Sequence, residues 1–486
     1  MLKSKATLIV LFSLFANFVI AQKGTQSPYS IYGLGERNYE GFATFSSMGG
    51  VSMAITDSAL VNSNNPASYS FIGRYRPVFQ IGMSGRFSTF STETDAANKS
   101  TFGLNQFQLG LPIKKHWGVG VGIKPYTFTG YTITQYEIED EDTTHQMVSE
   151  GAGGIRIANF GIAYRPLNIK ITDTVYQTQT IFDSIKTKIN KPIVGKKIHT
   201  LSIGVNGNYL FGTSQQIRSS ELVPSSSSTL NSRVETGLRV SGLAYELGVN
   251  YQIGFESGSY SRVLAIGATY APESNVRAYQ DLFSKSYIGS YYKGESVLVV
   301  DTIELITDKQ GTIKKPESFG LGFEYRLRPF QTGSLIKFAG DVKMERWSTF
   351  STSFENEEVN AGLQDRMAIG LGMEWTPKWG AAAYDPDNNF FSRMHYRIGF
   401  NYAQTELKLS DNTGTEVGLD NYGMSFGLGL PILTGNSNTN INLGVNLGKL
   451  GTTNGGLLEE RYMGVFFGVA ITPQRNSLWF LKRKYD

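Results

Sequence analysis

The chain has 486 residues, with 45 lysines and arginines against 41 acids and no cysteine. That near-neutral balance speaks against a nucleic-acid partner, and the missing thiols exclude disulfides, thiolate catalysis and a cysteine-linked lipid. With 54 glycines, 26 tyrosines and 30 phenylalanines against 15 prolines, the composition favours sheet.

The chain opens "MLKSKATLIVLFSLFANFVIAQ". Lys3 and Lys5 give a charged start, Ala6 to Ile20 an apolar run, and Val19-Ile20-Ala21 a small-residue cleavage site. Residues 1–21 are read as a cleaved secretory signal, because roughly 15 apolar residues fall short of the ~20 a spanning helix needs. Removing 21 of 486 residues leaves 465, and losing two lysines lowers the formal charge from +4 to +2. Residues 22–76 follow, a stretch of small residues, scattered aromatics and turn punctuation. Within it stand Gly49-Gly50 and Asn65-Pro66-Ala67.

From residue 77 the dominant signal is strict alternation. In "NYGMSFGLGLPI" Tyr422, Met424, Phe426, Leu428 and Leu430 share one face, opposite Asn421, Gly423, Ser425, Gly427 and Gly429. Strands are expected near 78–90, 101–112, 117–134, 151–166, 198–213, 234–253, 262–275, 317–328, 335–350, 365–377, 394–408, 420–432, 440–449 and 460–472. The apolar faces carry Tyr, Trp and Phe at their ends, as interfacial girdles do. The fold class is therefore all-β: a 14-stranded antiparallel transmembrane barrel over 77–472, with residues 22–76 as an N-terminal hatch in its lumen. Such a barrel belongs in the outer membrane of a Gram-negative cell, in contact with lipid and lipopolysaccharide. The long connections, "EIEDEDTTHQ", 214–233 and 276–316, are expected outside, most short turns in the periplasm, and 167–197 as a periplasmic insertion.

The third strand, "HWGVGVGIKPYTFTGY", changes phase at Pro125. Trp117, Val119, Val121 and Ile123 share a face opposite Gly118, Gly120 and Gly122, but beyond Pro125 the apolar residues are Tyr126 and Phe128. A one-residue flip marks a bulge, and a proline cannot donate to a ladder in a sheet without edges. The strand is expected to be interrupted there, leaving a gap toward the bilayer. On later strands Glu324, Arg326, Lys337, Asp341, Lys343, Glu345, Glu374 and Arg397 face the lumen, where charges of both signs must satisfy one another and the hatch.

Signals of catalysis or metal binding are weak. "GMSFG" fits the nucleophile pattern, but Ser425 lies inside a strand rather than on a strand-to-helix elbow. His395 is expected about seven residues from the cross-strand partner of Ser425, roughly 23 Å at ~3.3 Å per residue. "YDPDNNFF" places Asp385, Asp387 and Asn389 like the start of a calcium loop, without its glycine or closing glutamate. No enzyme activity, metal or cofactor is expected.

A hatch carrying Asn65-Pro66-Ala67 and Gly49-Gly50, ahead of fourteen strands and a third-strand break, resembles the FadL-type family of transporters for long-chain fatty acids and other hydrophobic compounds. The resemblance implies a hydrophobic small-molecule ligand, a hatch motif near the periplasmic exit, and lateral release at the third strand. The same family includes barrels that serve outer-membrane complexes, as in the type IX secretion translocon. The insertion 167–197 and the basic, aromatic tail 473–486, with Lys482, Arg483 and Lys484 beside Trp479 and Phe480, fit that second role.

Overall fold

The computed structural model describes residues 24–37, 41–140, 143–180, 188–223, 229–293, 296–355, 357–380, 389–434 and 437–473. The expected signal and residues 474–486 of the tail lie outside these, as do Asp385 and Asp387. We label the barrel strands β1 (Val78–Ser91), β2 (Ala96–Lys114), β3 (Trp117–Asp140), β4 (Thr143–Thr180), β5 (Lys188–Val223), β6 (Asn231–Glu256) and β7 (Tyr260–Ala271). They continue as β8 (Ser318–Pro329), β9 (Leu335–Glu345), β10 (Arg366–Thr376), β11 (His395–Ser410), β12 (Glu416–Thr434), β13 (Ser437–Gly451) and β14 (Glu459–Pro473).

These 14 antiparallel strands close on themselves, β14 pairing with β1 from Glu459↔Ser91 to Ile471↔Phe79. Closure removes the sheet edge that hydrocarbon cannot hydrate. Alternation then sorts the side chains. Outward, exposed residues such as Ile203, Leu247, Leu321, Leu371, Val445 and Phe467 form a continuous apolar belt. A belt of this kind on a closed barrel is the surface a bilayer covers, so the protein spans a membrane with strands. β1 begins and β14 finishes at the same end of the barrel, the terminal end of the wall.

The opposite end is taller than the sequence suggests. The expected external loop 276–316 is largely strand: Ser274–Ile288 extends β7 and Leu298–Lys315 leads into β8, with breaks at Pro272 and Pro316. Ser351–Phe354 and Glu357–Asn360 prolong the wall beyond β9 and β10. Beyond the membrane both faces are wet, so the alternation that reveals a strand fades although the ladder continues. The insertion 167–197 is likewise a ribbon, β4 pairing with β5 from Leu167↔Leu201 to Thr180↔Lys188 at the end where β1 begins and β14 finishes.

The inner face is fitted to residues 24–37 and 41–77. Phe42, Phe45, Met48, Val51 and Ile55 pack with Ala339 and Ala470, while Val61, Tyr69 and Ile72 pack with Val78 and Ala163. Glycines on the wall make room: an added Cβ on Gly204, Gly248, Gly267 or Gly399 would collide with the backbone or side chain of Pro66, Asn65, Met53 or Gly49. A side chain there would displace fixed main chain rather than a flexible tip.

Candidate functional site: a packed lumen and an open seam

Asn65 is the cap of the short 3-10 turn Pro66–Phe71. Its Oδ1 accepts from the Ala67 amide at 3.0 Å, and its Nδ2 donates to the Met53 carbonyl at 2.6 Å and to Val249 of β6 at 3.2 Å. Pro66 fits the first helical position because the N–H it lacks would find no partner there. Ala67 is fully buried, and its carbonyl accepts from Ser202 of β5 at 2.7 Å. The motif thus ties the N-terminal segment to the wall. Gly49 and Gly50 both adopt positive φ, 72° and 79°, the left-handed region that glycine enters without a Cβ clash. The Gly49 amide donates to Ser425 Oγ at 2.9 Å.

That last contact disposes of the nucleophile pattern, since Ser425 is fully buried and holds the inner segment. His395 stands opposite Gly429, four residues along β12 from Ser425, so the expected spacing of seven was too wide. Gly399, not a residue nearer the histidine's far side, is the serine's partner. Four residues still separate the groups by roughly 13 Å at ~3.3 Å per residue.

The eight inward charges meet as anticipated in part. Arg397 pairs with Glu374 at 2.6 Å, Lys337 with Glu374 at 2.8 Å, Lys343 with Glu345 at 3.1 Å and Arg326 with Glu324 at 3.4 Å. Asp341 accepts instead from backbone amides of the inner segment, those of Ser52 and Met53, the latter at 2.8 Å. Lys337 also reaches Asp57 at 3.8 Å. Buried charges held this way fix position, because breaking one partner leaves the other uncompensated.

The third strand departs from expectation. β3 is not interrupted: it stays paired with β4 from Trp117↔Tyr164 to Asp140↔Thr143, with Tyr126 as the extra residue of a bulge between Pro125↔Arg156 and Thr127↔Ile155. The bulge is matched on β4 by Gly153 and Gly154 at φ 111° and 146°. What ends is the pairing on the other side. β2 joins β3 only from Lys114↔Trp117 to Phe107↔Ile123, two residues short of Pro125. Above that, β2 keeps its β1 partner as far as Ala96, and the free edge of β3 takes up the short strand Glu36–Arg37, with Glu36↔Phe128 and Arg37↔Thr127. The wall therefore carries a seam between β2 and β3. Gly118 and Gly120, on the strand expected to be interrupted, admit Tyr69 of the inner segment, and Gly122 admits the Gln108 side chain.

Glu36 and Arg37 were not singled out in the sequence, yet they anchor the seam on both sides. Arg37 pairs with Glu345 at 2.9 Å and lies over Tyr126 at 3.8 Å. Glu36 pairs with Arg86 of β1 at 2.8 Å, and Arg86 pairs with Glu460 of β14 at 3.0 Å. The available signal was the adjacent Glu-Arg pair in a segment otherwise short of charge.

Behind the seam lies a cavity of about 1100 Å³. Inward-facing Lys124, Tyr126, Glu345 and Trp347 line it, and so do Ile81, Phe102 and Leu104. The last three are exposed on the outer face, Leu104 by 58%. A space lined from both faces of the wall reaches the lipid-facing surface at the seam.

A closed strand wall with an apolar belt, an inner segment packed against its glycines and a lateral seam define a β-barrel of the outer-membrane type. The family model BamG matches residues 1–176 and 193–486, and the chain belongs to that family. No curated protein matches significantly in sequence. Among solved structures, the chain is similar to the Ralstonia pickettii toluene transporter TbuX at 13% identity and TM-score 0.46, covering 90% of this chain and 100% of that one. It is also similar to a Pseudomonas aeruginosa FadL homologue at 11% identity and TM-score 0.45, covering 88% and 98%. The monoaromatic hydrocarbon channel CymD gives 12% and 0.44, covering 91% and 98%. The family shown by sequence is BamG.

Proposed function

We propose that the protein is an outer-membrane channel for hydrophobic small molecules, in which residues 22–76 form the hatch of a barrel spanning 77–472. In this reading the end where β1 begins and β14 finishes faces the periplasm, and cargo leaves the chamber sideways between β2 and β3 into the outer leaflet. The observation that carries it is the cavity lined by both Lys124 and Leu104, inner and outer residues of one wall. Lateral release is favourable because each methylene passed to lipid rather than water gains roughly 0.8 kcal/mol. A pore straight through the lumen would instead have to displace the buried ion pairs around Glu374 and Glu345.

A second reading, an accessory subunit of an outer-membrane assembly or secretion complex, is favoured by the β4–β5 ribbon, which continues past the β2–β3 turn with no further barrel strand beside Leu167–Thr180 among the described residues. Purification from native membranes in mild detergent separates the two. Hydrophobic compounds bound without stoichiometric protein support the channel. A protein that co-purifies and is lost when the ribbon 167–197 is shortened supports the subunit role, and the channel reading fails if a hydrophobic tracer crosses into wild-type proteoliposomes no faster than into empty vesicles.

A further inference from the structure

The charge of this chain is near balance, but its two ends are not alike. At the end where β1 finishes and β14 begins, basic groups stand among acids: Lys309 lies 3.0 Å from Glu355, Lys314 3.6 Å from Glu358, and Arg346 2.6 Å from Glu317. At the terminal end, where the strands leave the apolar belt, Arg74, Arg76, Lys114, Lys115, Lys196 and Arg262 are all exposed, and none forms an ion pair among the described residues. Of the acids there with described side chains, Asp57 turns inward to Lys337 and Glu256 stands cross-strand from Lys196.

A second feature fixes the height of this ring. Arg262 lies over Tyr260 at 4.1 Å, Arg328 over Trp379 at 4.7 Å, Lys197 over Phe255 at 5.6 Å and Arg74 over Tyr75 at 4.5 Å. Trp117, next to the Lys115 turn, stacks on Tyr164 at 4.5 Å. Aromatic rings at the edge of a lipid-facing belt sit at headgroup depth. Cations stacked on them are therefore held at the level of lipid phosphates, continuous with a surface already covered by lipid.

We propose that this ring binds the headgroups of anionic phospholipids in the leaflet at the terminal end. This rests on the membrane orientation given above, not on cargo movement. The occupant is a phospholipid because the cations are spread over the strand ends and turns from β1 to β8, beside aromatic rings at the rim of the lipid-facing belt, rather than gathered in a compact patch on one flank.

The test is native mass spectrometry of the full chain in detergent, titrated with phosphatidylglycerol and, separately, phosphatidylcholine. The wild type is expected to retain phosphatidylglycerol at least about tenfold better, since each basic residue near the surface contributes measurably to such binding. The variant Arg74→Gln, Lys114→Gln, Lys115→Gln, Arg262→Gln should lose about that factor, whereas Lys309→Gln, Lys314→Gln at the far end should not. Raising the salt toward 1 M should erase the wild-type preference, and this arm needs no variant to fold. Equal retention of the two lipids, a preference unchanged in the four-site variant, or an acidic protein held in place of lipid overturns the proposal. A failed uptake assay would leave the lipid preference intact, so the two readings fail separately.

Discussion

At the scale of the residue, position matters more than type. Asn65 reads from the sequence as turn punctuation before a proline, yet it makes three hydrogen bonds, one of them to the wall at Val249. Asn65→Ala removes all three from a buried site. At roughly 1 kcal/mol net per hydrogen bond, with more for partners left unsatisfied, the inner segment should loosen by about 2–4 kcal/mol. Hydrogen exchange of the Met53 to Ser70 amides should rise while that of the barrel strands stays unchanged. The wall glycines make a complementary case. Gly399→Val would drive a side chain into the Gly49 backbone and should expose the same amides. Alternate glycines are visible in the sequence, but not which of them face an inner segment and which only tighten a cross-strand pair. That depends on register between distant strands, which no local pattern encodes.

The strands show where sequence reading succeeds and where it stops. Wherever one face meets lipid and the other the lumen, alternation marks the strand, and β10 at Arg366–Thr376 lies within one residue of the expected 365–377. Outside the membrane the contrast vanishes, so β4 and β5 run far beyond their expected ends. The phase flip at Pro125 was legible, but its consequence falls on a different partner. β3 stays joined to β4 and loses β2, because the edge above Ile123 is taken by Glu36–Arg37, a segment at least ninety residues away in sequence from its partners Thr127 and Phe128. The double substitution Glu36→Gln, Arg37→Gln removes both anchoring ion pairs while keeping the backbone strand. Planar-bilayer recordings should then show frequent brief openings where the wild type is nearly silent. Identical recordings would mean the ion pairs do not hold the seam.

For the whole molecule, the class follows from closure and from the belt, and both were within reach of the sequence because hydrocarbon imposes them. Val445 and Asn446 are neighbours on β13 that face opposite ways, the first exposed and the second aimed inward near Gly423. Val445→Arg should destabilise the refolded barrel in vesicles by roughly 2–4 kcal/mol, the expected cost of a cation on the lipid face near mid-membrane. The same change at Glu93, exposed in the turn between β1 and β2, should cost under about 0.5 kcal/mol. The seam is the feature that distinguishes this barrel from an inert closed wall, and it is the least local of all, since it needs β1, β2, β3, β9 and the inner segment together.

The most direct test of the account is to close that seam. Deleting Pro125 shortens β3 by one residue, so that Tyr126 takes its place opposite Arg156, the bulge closes and the edge of β3 can pair upward with β2 beyond Phe107↔Ile123. Transfer of a hydrophobic fluorescent tracer into proteoliposomes is then compared between the wild type and this deletion, with closure verified by slowed amide exchange across residues 96–106 and 124–131. The account predicts that transfer falls to the rate of empty vesicles in the closed barrel. Transfer at the wild-type rate through a seam shown to be closed would contradict it.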